Sequence, residues 1–226
     1  MSGFSIIIPS KSAANLVPCI RAIREAGETA RIIVVDDGVD WGTGDDKTAA
    51  LNVMAWPFDV IAGVNPFVFA RNVNIGIRAA GEDDVILLND DALLKDRIGF
   101  SKLALAHQDN PGYGCIGAVT NLTGQPLQQP QGKGLREVPH IAFVCVFIPR
   151  TTINQIGLLD ERYCLDYGVE DRDYCEAITR AGLKVGVLDT CFVDHGSLTS
   201  TYRGHPESPK SFAQNYELFK AKWGIA

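Results

Sequence analysis

The sequence predicts an α/β protein whose central sheet is mostly parallel and flanked by helices. Two observations carry this. Short Ile- and Val-rich runs alternate along the chain with stretches whose apolar residues recur at helical spacing. Two of those runs, Ile32–Val35 and Val85–Leu88, also stop abruptly in acidic pairs, as strands do where they meet loops at the carboxyl edge of an open sheet.

The elements follow in order. Phe4 to Pro9 reads as the first strand. Leu16, Cys19, Ile20 and Ile23 then repeat at i, i+3, i+4 and i+7, a helical stripe that Gly27 can end. Ile32 to Val35 is the second strand and stops at Asp36-Asp37-Gly38; the polar stretch from Val39 to Lys47 is a loop. Phe58 to Ala62 is a weaker strand, and Phe69 to Ala80 a helix. Val85 to Leu88 is a strand ending in Asn89-Asp90-Asp91, and Ile98 to Ala106 a helix. Cys115 to Val119 and Ile141 to Ile148 are two further strand-like runs. Between them Asn121 to Pro139, rich in Gln, Gly and Pro, predicts a mobile loop. A helix over Asp171 to Ala181, a strand over Val185 to Val193, a loop from Ser197 to Ser211 and an amphipathic segment around Tyr216 to Trp223 complete the chain. With no internal repeat or low-complexity block, residues 1–226 read as one domain.

Composition narrows the function classes. A net charge of −6 over 226 residues offers no basic stripe for a nucleic-acid backbone. Its six cysteines include no CxxC pair and sit among apolar neighbours, as in Phe143-Val144-Cys145-Val146-Phe147, so reduced core thiols are expected. The N-terminus runs straight into a strand pattern and no apolar run approaches the ~18 residues of a membrane span, so the sequence reads as cytoplasmic. No GxGxxG follows the first strand, which disfavours a dinucleotide oxidoreductase.

The chemistry concentrates in acids at strand ends. Ligands of open parallel sheets bind outside the carboxyl ends of the strands, so Asp36-Asp37 and Asp90-Asp91 can share one crevice. Each pair alone also suits a turn or a helix cap. Asp171 with Glu170 and Asp173 opens a helix, where the dipole favours the ionised form; capping is the bland reading. Arg71 falls in the helical stretch from Phe69, where a surface charge is the plain reading. His195 ends the last strand.

Taken together, FSIIIPS, IIVVDDG, FARNVNIGI, VILLNDDA and YGVEDRDYCEAITRAG resemble, in order and spacing, the motif series of family 2 glycosyltransferases, from about Phe4 to His195. The resemblance implies a GT-A fold with a Rossmann-like sheet, a nucleotide-binding half over about 1–95 and an acceptor-binding half over about 96–226. It implies transfer of a sugar, with inversion, from a nucleoside-diphosphate sugar (UDP-sugar first) to an acceptor hydroxyl, assisted by Mn²⁺ or Mg²⁺. Pro9 and Ser10 would lie against the nucleoside. Asp37, with Asp36 beside it, would accept from the base, and Arg71 would sit near the base or diphosphate. Asn89-Asp90-Asp91 takes the place of the DXD motif: Asp91 would ligate the metal, which keeps substrate phosphate as co-ligand, and Asp90 would reach the ribose or a metal-bound water. Asn89 is neutral where many relatives carry Asp. His195 would complete the metal site, Asp171 would be the general base, and Glu170 would contact substrate.

Two alternatives stay open: a catalytically degenerate nucleotide- or glycan-binding module, for which Asn89 speaks, and a sugar-phosphate nucleotidyltransferase, against which the glycine-free Pro9-Ser10-Lys11-Ser12 speaks. The acceptor (glycan, lipid-linked, protein or modified nucleobase) has no readable code. Gly63–Phe67 and Asn121–Pro139 are expected to move on substrate binding, and Trp41, Trp56 and Trp223 are candidates either for sugar stacking or for packing.

Overall fold

The structure, a computed structural model, describes residues 3–41, 57–64, 67–163, 168–200 and 208–225. Strand β1 (Phe4–Ser10) is buried along nearly its whole length, as are β2 (Arg31–Asp36) and β4 (Asp84–Leu88). Burial on both faces is why these runs are continuously apolar rather than alternating. β1 pairs in parallel with β2 and with β4, Ile6 lying opposite both Ile32 and Ile86, and β2 pairs in parallel with β3 (Asp59–Ala62).

Beyond β4 the strands are β5 (Leu93–Leu94), β6 (Tyr113–Thr120), β7 (Leu135–Glu137), β8 (Cys145–Ile148) and β9 (Lys184–Asp194). One sheet of order β3-β2-β1-β4-β8-β6-β9-β5 runs through the described residues, with β7 attached to β9. β6 and β9 are parallel, but β8 is antiparallel to both β4 and β6. The parallel strands β1 to β4 are thus joined through the reversed β8 to the parallel pair β6 and β9, to which β5 and β7 attach antiparallel, and the carboxyl ends of β1, β4, β6 and β9 share one rim.

Helices cover both faces. Side chains alternate along each strand, so Ile6, Ile8 and Ile86 pack under α1 (Ala13–Glu25) and α3 (Gly99–Asp109). Ile7, Val35 and Leu87 pack under α2 (Phe69–Ala79) and α5 (Glu170–Arg180). The α1 stripe is the expected one, capped by Ser12, whose Oγ accepts from Asn15 N at 3.3 Å. Gly27 follows its end at φ +85°. α2 lies so close to the sheet that a Cβ on Gly76 would sit 2.3 Å from Ile7 Cγ2. The shorter α4 (Arg150–Ile156) and the C-terminal α6 (Ser208–Trp223) complete the elements.

Three expectations change. Only Cys145–Ile148 of the run from Ile141 joins a ladder; Ile141, Phe143 and Val144 are buried outside it, the Val144 carbonyl accepting from Asn89 N at 2.9 Å. The stretch 121–139 contains a 3₁₀ turn (Pro126–Gln128) and β7, and polar side chains tie it down. Buried Gln128 donates to the carbonyls of Ala118 and Ala142 (3.2 and 3.0 Å), and the backbone N–H groups of Gln131 and Lys133 reach Asp189 at 2.9 and 2.7 Å. The loop assigned to Ser197–Ser211 gives way to α6 at Ser208. Cys19, Cys115, Cys145, Cys175 and Cys191 are free and buried; Cys164, Trp56, His205 and residues 65–66 lie outside the described residues. No helix among the described residues is long and apolar enough to cross a membrane.

Candidate active site

The strand ends bring a set of polar side chains to the common rim. Ser10, at the end of β1, donates its hydroxyl to Asp90 Oδ2 at 2.6 Å. Burial pushes the Asp90 carboxyl up to about 6, against the opposing hydrogen bond from Ser10. Asp36 is engaged in its own turn: Oδ1 accepts from the N–H groups of Gly38 and Val39 (2.9 and 2.7 Å) and Oδ2 from Trp41 Nε1 (3.2 Å). Asp37 is buried, with Oδ1 lacking a hydrogen-bond partner among the described residues. Burial raises its carboxyl, opposed by Asn72 and Lys11.

Asp91 lies just beyond β4 and His195 just beyond β9, and both are buried. β5 follows Asp91 and pairs antiparallel with β9, Leu93 opposite Asp194. That short ladder brings His195 Nε2 to 3.1 Å from Asp91 Oδ1. The other ring nitrogen, Nδ1, contacts the carbonyl oxygen of Leu122 at 2.8 Å. Donation from Nδ1–H to that carbonyl turns the lone pair of Nε2 in the neutral ring towards the carboxylate, so a proton or a cation must stand between them. A divalent cation fits: cis ligands at roughly 2.1 Å from an octahedral ion are about 3 Å apart. Among the described residues no group of three or more His, Cys, Asp or Glu side chains forms a ligand set. Asp91 and His195 supply two neighbouring donors here.

Asp171 sits in the first turn of α5, its Oδ1 receiving the N–H of Arg172 at 2.6 Å, with the N–H of Phe143 also directed to its carboxylate. Burial nevertheless pushes Asp171 above the usual aspartate range. Here desolvation outweighs the helix N-terminus on which the sequence argument relied. Burial and then the charge of Asp171 push the adjacent Glu170 up further. Val169, immediately before the pair, has φ +88°, a strained conformation for a β-branched residue.

Pro9, Asn89, Asp90, Asp91, Glu170, Asp171 and His195, among others, line one cavity of about 620 Å³. Asp36, Asp37, Ser10 and Arg71 are not in its wall. Arg71 lies half-exposed on α2, its Nε 3.8 Å from Glu161. The guanidinium-bearing residue in the wall is Arg172. The apolar wall, which includes Phe67, Phe69, Leu122, Phe143, Val144 and Phe212, carries no signal in the sequence. Its members come from loops and helix ends, where no periodicity marks them.

The chain aligns in space with a crystal structure of GalNAc-T7 with UDP, GalNAc and Mn²⁺, at a TM-score of 0.73 and 14% identity, over 96% of this chain and 48% of that one. The fold is that of the GT-A glycosyltransferases, and the chain spans about half the length of that neighbour. The sequence model of glycosyl transferase family 2 matches residues 5–156. The protein belongs to that family. Asp171 and His195 lie beyond the matched segment. No curated protein matches the chain.

Proposed function

We propose that the protein is an inverting glycosyltransferase that moves a sugar from a nucleoside-diphosphate sugar, UDP-sugar first, to an acceptor hydroxyl. The observation that carries this reading is one cavity holding the Asp91–His195 pair and the Asp171 carboxylate together. Its volume, about 620 Å³, falls within the range of small-ligand sites. The neighbour with UDP and Mn²⁺ supports a uridine nucleotide and a divalent ion.

In this reading the β1–β4 block receives the nucleotide. Pro9 and Ser10 flank the nucleoside, and the unpartnered Oδ1 of Asp37 accepts from the base once the nucleotide side opens to it. Asp91 and His195 hold Mn²⁺ or Mg²⁺, which when bound neutralises charge on the departing diphosphate. Asn89 and Asp90 line the donor side, Asp90 kept in place by Ser10. Across the cavity, Asp171 takes the proton of the acceptor hydroxyl as its oxygen attacks the anomeric carbon from the face opposite the diphosphate. Glu170, the more basic carboxyl, retains a proton and donates a hydrogen bond to substrate. The phenylalanine-rich wall excludes water that would otherwise hydrolyse the donor.

The test is a thermal-shift series with UDP, dTDP and GDP, each with and without Mn²⁺, followed by product analysis with the matching sugar nucleotide. Stabilisation by UDP that requires Mn²⁺, and release of UDP on turnover, are expected. Pyrophosphate release, or absence of any nucleotide-dependent shift, rejects the reading.

A further inference from the structure

The segment carrying Asp171 is gripped by the C-terminal helix. Asp173, two residues on, is 3% exposed, yet its carboxylate receives three donors. Tyr163 Oη and Trp223 Nε1 donate to Oδ1 at 2.9 and 2.7 Å, and Lys222 Nζ donates to Oδ2 at 2.7 Å. Two of the three come from the last turn of α6. The same helix reaches the residues before Asp171. Asn215 Nδ2 donates to the carbonyl of Gly168 at 3.1 Å, and Phe219 packs with Val169, the residue held at φ +88°. On the other side of Asp171, the Arg172 guanidinium lies 5.3 Å from the ring centres of both Tyr216 and Phe219.

Residues 168, 169, 172 and 173 are thus each fixed by α6. A backbone in the left-handed region at a β-branched residue persists only where its surroundings over-determine it, and here Phe219 of α6 packs against it together with Tyr163. The contacts converge on the turn that opens α5 and sets the direction of the Asp171 side chain.

We propose that α6 is the positioning element of the catalytic base, acting through Asp173 as its principal positioning residue. This rests on Asp171 being the base. Asp173 touches no substrate in this scheme; its anionic oxygens collect donors from α6 and the 163 region and lock the first turn of α5 over the cavity. Misplacement of a reacting group by about 1 Å can lower turnover on the order of a hundredfold, so a helix distant in sequence can govern the rate.

Three full-length variants test it. Trp223→Phe removes one donor and keeps an aromatic ring, Lys222→Met removes the charged donor, and Lys222→Arg restores one. The first readout is amide hydrogen exchange, which needs no substrate. Trp223→Phe and Lys222→Met should speed exchange at residues 168–173 by about tenfold or more, the loss of one charge-assisted bond, and leave β1 and β2 unchanged. The second is turnover of UDP-glucose or UDP-GalNAc with Mn²⁺, whose kcat should fall about tenfold or more while UDP affinity stays at the wild-type value. Lys222→Arg should recover both. Unchanged exchange at 168–173, or equal acceleration throughout the sheet, overturns the positioning role. Wild-type turnover in Asp171→Asn overturns the base assignment, and the proposal falls with it, whatever the exchange shows.

Discussion

Asp91 Oδ1 and His195 Nε2 stand 3.1 Å apart although more than a hundred residues separate them in the chain. Their proximity is a property of the backbone: Leu93 lies opposite Asp194 in the β5–β9 ladder, and each side chain of the pair sits just outside it. The contact between Nδ1 and the Leu122 carbonyl oxygen fixes the ring, so the nitrogen that meets Asp91 is selected by the start of the 121–139 excursion.

Asp91→Asn and His195→Ala should each abolish the Mn²⁺-dependent part of nucleotide stabilisation. For the wild type at 100 times Kd that stabilisation is about 2.7 kcal/mol. Thermal melts with UDP, before and after removal of the ion by EDTA, measure it. Equal stabilisation with and without Mn²⁺ in the wild type would remove the ion from the nucleotide site.

Asp171→Asn should lower turnover on the order of 10²- to 10⁴-fold and leave UDP binding intact. Because the base works ionised and burial raises its carboxyl, wild-type kcat/KM should rise with pH through a midpoint above the ordinary aspartate value of about 3.9. A flat profile from pH 4 to 7 contradicts this.

Gly76→Ala should destabilise the fold by about 1–3 kcal/mol, since the added methyl would overlap Ile7 Cγ2 and approach Val35 Cγ2. Both neighbours are β-branched side chains buried in the sheet, so neither can swing aside. Urea unfolding at constant m-value reports the loss.

Asp160 is held below the usual carboxylate range first by its hydrogen bonds from Arg162, against burial, and then by Lys222. A depressed carboxyl stabilises the folded state above the unfolded pKa of about 3.9, and that contribution disappears as pH falls through the folded value. Arg162→Met should therefore cost about 0.2–1 kcal/mol at pH 7, as for a pair whose guanidinium is exposed to solvent, and less at pH 2. Melting temperatures at the two pH values give the difference.

The parallel core was legible because burial on both faces leaves unbroken Ile/Val runs at β1, β2 and β4, and the α1 stripe because one face of that helix is buried. Less was legible where one residue type serves several purposes. An aspartate at a strand end satisfies its own turn (Asp36) or is buried with an oxygen unpartnered among the described residues (Asp37), and only the backbone beyond it decides which. Arg71 lies on the expected helix but meets Glu161, a partner that tertiary contact supplies. Ile141–Val144 is apolar for the sake of packing against the cavity and the core, which a strand pattern cannot distinguish from ladder pairing. The Asp173 grip draws on Tyr163, Lys222 and Trp223, whose meeting no local spacing records.

The reversed strand β8 has a consequence for how activity and folding relate. Among the described residues it is the seam between the block that carries Asp91 and the block that carries His195, stitched to β4 by the pairs from Val85–Ile148 to Leu88–Cys145. Val144, Cys145 and Phe147 share one buried cluster with Ile6 and Ile86 on one side and Ile116 and Val193 on the other, so loosening that seam disturbs the packing of both blocks at once. Heat or denaturant should therefore silence and melt the protein in one step, with β8 as the keystone.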